Sequence, residues 1–406
     1  MQISGEYFYI WNLKQINKLQ NMKFIKWFFI VIISLVVIGE IAMLITGKSF
    51  LNRVFAMTIF SGKLSPDINE LKSFAYREMT ATNPQPWPVS VNYNKAKIDA
   101  VLMKKMEDFK TTSYLVIKND SIIYENYWEQ YNDKSVTNSF SMAKSFTAVL
   151  IGIAIKQGLI KNVDEPVGNY IDSYKEGDKA KITIKHLLTM SSGVDFDETY
   201  SSPWAWPSEA YYGDDVNALT LKSGVKEAPG ITWKYKGGDT QLLGIILKKV
   251  LGRKSISAFA AENLWQKMGA EQPAFWSLDK ADGMEKVSCC WYATARDFAR
   301  FAKLYRDKGN WNGEQLLDSS YVNESIQLAN LKDTEGKPNN KYGYQWWIMK
   351  HKSHDIFYCR GIRGQYIFAV PDSNLIIVRT GHKRATKKGD ELPDDIFVYL
   401  DIALAL

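Results

Sequence analysis

The sequence predicts an α+β fold: an antiparallel sheet completed by both halves of the chain, flanked by N- and C-terminal helices, with a mostly helical lobe inserted between the halves. Two observations support this prediction. Strand patterns occur at 114–127 and return at 344–380, and helical patterns occupy most of the chain between them. Strands and helices that are segregated along a chain in this way are typical of α+β proteins.

Length and composition fit one composite globular unit with an appendage. The chain has 406 residues, of which 46% are hydrophobic and 23% are charged, so it can bury a large core. The formal net charge of +7 is spread along the chain without a block of Lys and Arg. We therefore expect no nucleic-acid partner.

The appendage is a predicted transmembrane helix at residues 24–46. It is apolar apart from Lys26 and Glu40, and crossing a bilayer takes about 20 residues. The lysines at its N-terminal end are Lys14, Lys18, Lys23 and Lys26. By the positive-inside rule residues 1–23 are expected to be cytoplasmic and the domain after the span to lie in the periplasm or outside the cell, held by a single pass through a bacterial inner membrane. A cleaved signal peptide is the alternative, although no clear small-x-small site follows the apolar run.

Residues 47–94 are predicted to connect this anchor to the main domain, which runs from 95 to 406. The connector holds a weaker apolar patch at 50–60 and a Pro-rich stretch at 83–88. Because proline fixes the backbone φ angle, the second stretch is expected to be a stiff, extended spacer.

Within the domain, hydrophobic periodicity and turn residues define the elements. Helices are predicted at 98–109, 141–158, 182–190, 240–251, 294–306 and 392–406, and strands at 114–117, 121–127, 344–349, 356–358, 365–370 and 375–380. Asn119-Asp120 is a typical hairpin turn, and residues 371–374 form a second turn. Gly158 and Gly252 end their helices, as glycine commonly does.

Ser141 and Lys144 lie at the start of a helix that is predicted to be buried. The run at 145–155 is apolar on nearly all sides, and residues three apart on a helix share one face. A serine hydroxyl needs an adjacent base to act as a nucleophile. A lysine is a base only when neutral, a form that burial and the positive end of a helix dipole both favour. We therefore expect Ser141 to be the nucleophile and Lys144 its base.

Two further parts of an acyl-transfer site have candidates. Tyr235 lies just before a helix, in a loop able to face a cleft, and is the candidate that passes a proton to the leaving group. The stretch at 361–364 lies between two strands, where backbone N–H groups can form an oxyanion hole.

The sequence around these residues resembles the class C β-lactamase-related family of penicillin-recognising serine enzymes. The matching stretches are Ser-Met-Ala-Lys at 141–144 with its neighbours, 182–193 and 235–244, while 293–301 and 361–365 are most similar to the 6-aminohexanoate-dimer hydrolase branch. Family VIII esterases and D-alanyl-D-alanine carboxypeptidases belong to the same family. The resemblance implies a β-lactamase/transpeptidase-like fold and hydrolysis of a small-molecule or peptide amide or ester through an acyl-enzyme, without a cofactor.

Carried over to this chain, the resemblance implies a role for each candidate. Ser141 is acylated, Lys144 is its base and Tyr235 relays the proton. The backbone N–H groups of Ser141 and Ile362 form the oxyanion hole. Tyr200 matches a tyrosine that lines the substrate cleft in the amide-hydrolase branch.

Two departures from the family pattern affect the expected substrate. Gly237 stands at the third position of the Tyr-x-Asn or Tyr-x-Ser motif, and the Lys-Thr-Gly motif reads Cys359-Arg360-Gly361. The lysine that binds a substrate carboxylate in β-lactamases is thus absent. Gly361, Arg360 and Arg363 are binding candidates, the arginines as sources of positive charge. These departures favour a linear amide or ester. The alternatives are a β-lactamase or D-alanyl-D-alanine carboxypeptidase proper, or a catalytically retired module that binds peptides or cell-wall fragments.

The cysteines and two of the histidines are interpreted as structural. Cys289 and Cys290 are predicted to be two small core residues, and with Cys359 the number is odd, so no disulfide framework is inferred. His351 and His354 are expected in a solvated turn, and no metal site is predicted.

Overall fold

The larger sheet of the protein contains strands from both ends of the chain, as the sequence predicts. The computed structural model describes residues 3–58, 60–63, 65–386 and 392–406. The chain divides into two compact units, Met1–Gly62 and Lys63–Leu406.

Helices and strands alternate irregularly along the chain. The helices are α1 (Ile3–Ile45), α2 (Phe50–Met57), α3 (Ala100–Asp108), α4 (Met142–Lys156), α5 (Ile184–Leu188), α6 (Trp206–Tyr212), α7 (Val216–Leu221), α8 (Gly237–Leu251), α9 (Ile256–Ala260), α10 (Ala295–Arg306), α11 (Ser319–Ser325) and α12 (Asp395–Ala405). The strands are β1 (Tyr76–Met79), β2 (Thr111–Lys118), β3 (Ser121–Tyr127), β4 (Thr137–Asn138), β5 (Ala274–Ser277), β6 (Trp291–Ala293), β7 (Asn310–Trp311), β8 (Glu314–Gln315), β9 (Trp347–His351), β10 (His354–Gly361), β11 (Gln365–Val370) and β12 (Leu375–Gly381).

The first unit is helical. From Phe8 to Ile45, α1 is long and apolar enough to cross a membrane, and it covers the predicted span at 24–46 except for its last residue. Asn52 in α2 donates a 2.7 Å hydrogen bond to the carboxylate of Glu40 in α1, which gives a partner to the charged group in the apolar run. A helix of this kind near an N-terminus is found both in membrane anchors and in signal sequences.

Two main antiparallel sheets organise the second unit, and β7 and β8 form a separate two-stranded sheet. The larger has the strand order β3-β2-β12-β11-β10-β9, so the N-terminal hairpin lies beside the last strand, with Val116 opposite Ile377. The smaller has the order β1-β5-β6-β4. Asn119 and Asp120 form the predicted hairpin turn, with φ angles of 50° and 60°. Asn and Asp tolerate this left-handed conformation better than most residues do.

The segment 63–94 is part of the second unit rather than a free connector. β1 pairs with β5, and Met79 and Trp87 are buried. The indole Nε1 of Trp87 donates a 2.9 Å hydrogen bond to the carbonyl of Arg296. The Pro-rich stretch packs on the domain because its tryptophan finds both an apolar site and a hydrogen-bond acceptor there.

One predicted strand, at 344–349, begins later than the pattern indicates. β9 starts at Trp347, because Gln345 has a left-handed φ of 62° and its side-chain amide donates to the carbonyl of Leu187 at 2.9 Å. Each of the other predicted strands is present and is either as long as predicted or a few residues longer. Helix α8 begins at Gly237, three residues before the predicted start at 240.

Cys289 and Cys290 are joined by a disulfide bond, so the prediction of two unlinked core cysteines is wrong. The chain turns just before β6, where Cys290 has a φ of 68°, and this turn brings the two Sγ atoms together. Sequence spacing does not encode that local geometry. Cys359 is free and buried.

His351 and His354 face each other across the tight turn between β9 and β10, where a turn was predicted. Each imidazole contacts a carboxylate: His351 Nε2 lies 2.7 Å from Asp401, and His354 Nδ1 lies 2.9 Å from Asp372. The contacts explain why these side chains are only partly exposed although they stand in a turn.

α4 passes through the core of the second unit, against α8 and β10. Every residue from Met142 to Ala154 is buried, as the uniformly apolar run predicts. The ring of Phe146 stacks on Trp291 with 4.1 Å between centroids. Truncating a buried aromatic ring of this kind costs about 3–5 kcal/mol. The helix that begins at Ser141 is therefore held rigidly on all sides.

Candidate active site

Ser141 lies at the start of α4, immediately after a strained residue. Phe140 has a φ of 44°, in the left-handed region that bulky residues rarely adopt. Its backbone N–H donates a 2.8 Å hydrogen bond to the side chain of Asn138 in β4, which fixes the turn. Such strain costs on the order of 1–3 kcal/mol and persists only where the surroundings impose it. The turn presents Ser141 at the positive end of a buried helix.

The structure brings the side chain of Lys144 to Ser141. Lys144 Nζ lies 3.2 Å from Ser141 Oγ and donates a 2.6 Å hydrogen bond to the carbonyl of Ser288. Only 3% of Lys144 is exposed. A buried amine needs hydrogen-bond partners, and the Ser288 carbonyl supplies one that also aims Nζ toward the serine oxygen. The disulfide-linked residues follow Ser288 directly in the chain.

Tyr235 lies on the other side of the amine. The centroid of its ring is 5.3 Å from Lys144 Nζ. The ring packs against Trp347 at 5.5 Å and Tyr342 at 6.1 Å, which fix its plane. The start of α8 at Gly237, two residues later, holds the backbone of the loop. The structure therefore groups Ser141, Lys144 and Tyr235, residues that are far apart in sequence.

The end of β10 runs beside the chain that leads into Ser141. A Cβ atom added at Gly361 would lie 2.3 Å from the carbonyl oxygen of Ser139, so only glycine permits this approach. Ile362 follows at the beginning of a short 3-10 turn. Ile362, whose backbone N–H the sequence predicts for the oxyanion hole, therefore follows directly after the point where β10 passes the chain that leads into Ser141.

The two candidate arginines have different surroundings. The guanidinium carbon of Arg360 lies 3.7 Å from the ring centroid of Trp347, the same ring that contacts Tyr235. Arg363 instead donates to the hydroxyl of Ser65 at 2.6 Å and to the carbonyl of His382 at 2.9 Å. The guanidinium of Arg363 is thus engaged by the protein's own chain, and of the two candidate arginines Arg360 lies beside the site.

Cys359 stands where the sequence resemblance predicts the family lysine. Its side chain is buried in β10 and faces the hydroxyl of Ser145 on α4. Burial raises the pKa of the Cys359 thiol, so the group is neutral at physiological pH. This position therefore supplies no positive charge to a substrate.

Glu198 belongs to the site, although the sequence reasoning did not single it out. Its Oε1 accepts a 2.5 Å hydrogen bond from the backbone N–H of Gly237. Burial raises the pKa of Glu198, whereas Lys144 and the N–H groups of Gly237 and Gly238 oppose this rise. Tyr200, which is 55% exposed, interacts with the same carboxylate. In the sequence, the one indication of such a residue is Gly237: it has no side chain at the third position of the tyrosine motif, so another residue can lie there.

An α+β fold built on two main antiparallel sheets, with a serine and a lysine in contact at the start of a buried helix, defines a serine hydrolase of the β-lactamase/transpeptidase-like fold. The family comparison agrees. The Beta-lactamase family model matches residues 98–400, and the chain belongs to this family.

Individual relatives are distant. The 6-aminohexanoate-dimer hydrolase of Paenarthrobacter ureafaciens is 24% identical over 302 residues, which cover 68% of this chain and 74% of the relative. Among solved structures, a Bacillus anthracis protein described as a 6-aminohexanoate-dimer hydrolase superposes with a TM-score of 0.70 at 22% identity, covering 83% of this chain and 92% of that one. A family VIII carboxylesterase superposes with a TM-score of 0.60 at 15% identity, covering 79% and 99%. These two likenesses show the fold.

Proposed function

We propose that this protein hydrolyses a linear amide or ester through an acyl-enzyme on Ser141, with Lys144 as the base and Tyr235 as the proton relay. The observation that supports this most directly is the 3.2 Å separation of Lys144 Nζ and Ser141 Oγ at a buried helix start. A site of this kind needs a nucleophile and a base within about 2.6–3.2 Å of each other.

In the first step the Ser141 oxygen attacks the acyl carbon. Neutral Lys144 accepts the hydroxyl proton while its N–H remains donated to the Ser288 carbonyl. The Oγ–C bond forms, negative charge develops on the carbonyl oxygen, and the backbone N–H groups of Ser141 and Ile362 stabilise it.

Collapse of this intermediate breaks the C–N or C–O bond to the leaving group. Tyr235 donates a proton to the departing nitrogen or oxygen and is reprotonated from Lys144, which lies beside its ring. Water then attacks the acyl-enzyme with the same groups in reverse roles, which releases the acid and restores Ser141.

The substrate class follows from the charges around the pair. Cys359 stands in place of the lysine that binds the carboxylate of a β-lactam, and the guanidinium of Arg360 is stacked on Trp347. A linear substrate that passes the aromatic side chains and places a carboxylate near Arg360 fits this arrangement. The 6-aminohexanoate dimer, which the Paenarthrobacter relative is named for, is such an amide and a first compound to assay.

Turnover assays test the proposal. The full chain is assayed with p-nitrophenyl butyrate, the 6-aminohexanoate dimer and a chromogenic cephalosporin, alongside Ser141→Ala. We expect ester or amide hydrolysis that Ser141→Ala abolishes and cephalosporin turnover at least tenfold slower. Hydrolysis that persists in Ser141→Ala contradicts the nucleophile, and fast cephalosporin turnover contradicts the substrate class.

We also propose that α1 anchors the enzyme in a bacterial inner membrane, with the hydrolase on the outer side. The support is an apolar helix of sufficient length and the preceding lysines Lys18, Lys23 and Lys26. The full chain should remain in the membrane pellet after alkaline carbonate washing, and protease added to spheroplasts should degrade the domain. Release into the wash, or a shortened N-terminus by mass spectrometry, would instead indicate a cleaved signal.

A further inference from the structure

The loop that leads into β6 holds the proposed base through its backbone. The carbonyl of Ser288 accepts the 2.6 Å hydrogen bond from Lys144 Nζ. The carbonyl of the preceding residue, Val287, accepts a 3.0 Å hydrogen bond from the hydroxyl of Thr147, which lies one turn further along α4. Two successive carbonyls of one loop thus bind two successive turns of the helix that carries the nucleophile. The path of this loop therefore decides where the lysine amine is held.

The disulfide bond of Cys289 and Cys290 lies in the same loop, directly after Ser288. It closes a small ring through the peptide that joins the two cysteines, and Cys290 has a φ of 68°. A residue other than glycine rarely adopts this left-handed conformation, so an unlinked chain would favour another path at this point. The closed ring therefore helps to hold the Ser288 carbonyl where Lys144 binds it.

Solvent reaches this disulfide from one side. Cys289 is partly exposed, whereas only 1% of Cys290 is exposed. The third cysteine of the chain, Cys359, is free and completely buried in β10. A reductant in solution can therefore attack the sulfur of Cys289, and it has no access to the thiol of Cys359 in the folded protein.

We propose that the disulfide of Cys289 and Cys290 is a redox-modification site that controls the base. In its closed form, the disulfide holds the Ser288 carbonyl against Lys144. A dithiol reductant opens the bond, releases the carbonyl from its fixed position and slows the enzyme. This inference rests on the proposed function of the Ser141–Lys144 pair.

The modification is a thiol–disulfide exchange with the dithiol. A thiolate of the reductant attacks Sγ of Cys289, the S–S bond breaks, and the sulfur of Cys290 leaves with the electron pair and takes up a proton. The second thiolate of the reductant then attacks the mixed disulfide. Cys289 leaves as a thiolate and takes up the second proton, so the protein gains two electrons and the reductant becomes a disulfide.

Opening the bond should displace the Ser288 carbonyl without unfolding the domain. The indole Nε1 of Trp276 in β5 donates to the carbonyls of Lys286 and Cys289, both at 3.1 Å. These bonds involve no sulfur atom and keep the loop attached to the sheet. A misplacement of about 1 Å in a catalytic group can cost about 10²-fold in rate. We therefore expect kcat to fall while substrate binding, measured as KM, is retained.

The test compares the full chain as isolated, after reduction with dithiothreitol, and after reoxidation with oxidised glutathione, with each sample desalted before the assay. It measures kcat and KM for p-nitrophenyl butyrate and the rate at which a fluorophosphonate labels Ser141. Iodoacetamide labelling and peptide mass spectrometry give the redox state of each cysteine. We expect reduction to lower kcat and the labelling rate about 10–100-fold with KM within about twofold of its value, and reoxidation to restore all three.

The matched control is the double variant Cys289→Ser/Cys290→Ser, which keeps Cys359. Its kcat should be as low as that of the reduced wild type and should not respond to dithiothreitol. A double variant that dithiothreitol still slows would show that the reductant acts elsewhere. If the double variant does not fold, the comparison of reduced and reoxidised wild-type protein decides the question alone.

Four results would overturn the inference. They are thiols at 289 and 290 that react with iodoacetamide before reduction, a disulfide that dithiothreitol leaves closed, an unchanged kcat after complete reduction, and a loss of activity accompanied by a raised KM and a lowered melting temperature. The last result would indicate general loosening of the domain. An oxidised wild-type protein that neither hydrolyses the ester nor reacts with the fluorophosphonate would instead refute the proposed function.

Discussion

The Nζ atom of Lys144 lies 3.2 Å from the Oγ atom of Ser141, one helical turn away on the same face of α4. The carbonyl of Ser288, 2.6 Å from the amine, holds Nζ in this position. The helix that carries both residues is buried on all sides, so the geometry does not depend on a mobile loop. The pair is thus preorganised for proton transfer before a substrate binds.

Replacing Lys144 by methionine should remove the base while filling nearly the same volume. We expect kcat/KM for p-nitrophenyl butyrate to fall by about 10²–10⁴-fold, the usual contribution of a general base. Lys156→Met, at the exposed end of the same helix, is the control and should keep wild-type activity. Circular dichroism verifies folding, and a Lys144→Met protein that retains more than a tenth of the activity would rule out the base.

Tyr235→Phe separates the two kinds of substrate. The ring remains packed on Trp347, but the hydroxyl that protonates the leaving group is lost. Because p-nitrophenolate leaves without a proton, ester turnover should fall far less than amide turnover, for which we expect about 10²–10⁴-fold. Tyr170→Phe, whose hydroxyl contacts Glu165 away from the site, serves as control. Equal losses on ester and amide would argue against a proton relay.

Gly361→Ala tests the close approach of β10 to the residues before Ser141. The added methyl group would lie 2.3 Å from the Ser139 carbonyl, so the strand end must shift. Overpacking of this kind costs about 1–3 kcal/mol, and the shift moves the backbone of Ile362, so activity should fall more than tenfold. Gly224→Ala, where no atom lies within 4 Å of the new Cβ, is the control. Thermal melting and kcat/KM measure both effects, and wild-type values for both would contradict the account.

His186 makes the stability of the domain sensitive to mild acid. Its Nδ1 accepts a 3.1 Å hydrogen bond from the backbone of Thr183 and can do so only when unprotonated. Burial lowers the pKa of His186, Asp164 opposes this effect and Lys185 adds to it. The unfolded chain therefore binds the proton first, near its usual pKa of about 6.5. Stability from this group is complete above that pH and is lost as the pH falls toward the folded pKa.

Urea unfolding between pH 7.5 and 5 measures this effect. We expect the free energy of unfolding to decrease as the pH is lowered from 7.5 to 5. The decrease should be less steep in His186→Gln, which lacks the titrating ring. His382, whose pKa is also lowered chiefly by burial, accounts for part of the remaining slope. Identical slopes in the variant and the wild type would show that His186 does not contribute.

The sequence was sufficient for features that depend on local spacing. The contact between Ser141 and Lys144 follows from helical periodicity, and the antiparallel sheet built from both chain ends follows from the order of strand patterns. The late start of β9 was not predictable, because it depends on Gln345 reaching the carbonyl of Leu187. The disulfide of Cys289 and Cys290 depends on the shape of one turn.

Glu198 is a residue of the site that the sequence alone did not predict. Nothing in the spacing of residues 197–200 places a carboxylate at the start of α8, because the hydrogen bond from Gly237 joins a loop to a helix that is distant in sequence. The sequence does show that Gly237 replaces the Asn or Ser of the family's tyrosine motif, so a polar side chain is missing there. Only the packing of Trp206 and Glu198 near that space shows what stands there instead.

The most direct test of the central claim is covalent labelling of the full chain with a fluorophosphonate, followed by peptide mass spectrometry. We predict a single adduct on the peptide that contains Ser141, formed more slowly in Lys144→Met and not formed in Ser141→Ala. An adduct on another serine, or labelling that is unchanged in Ser141→Ala, would contradict the assignment of the nucleophile and with it the proposed reaction.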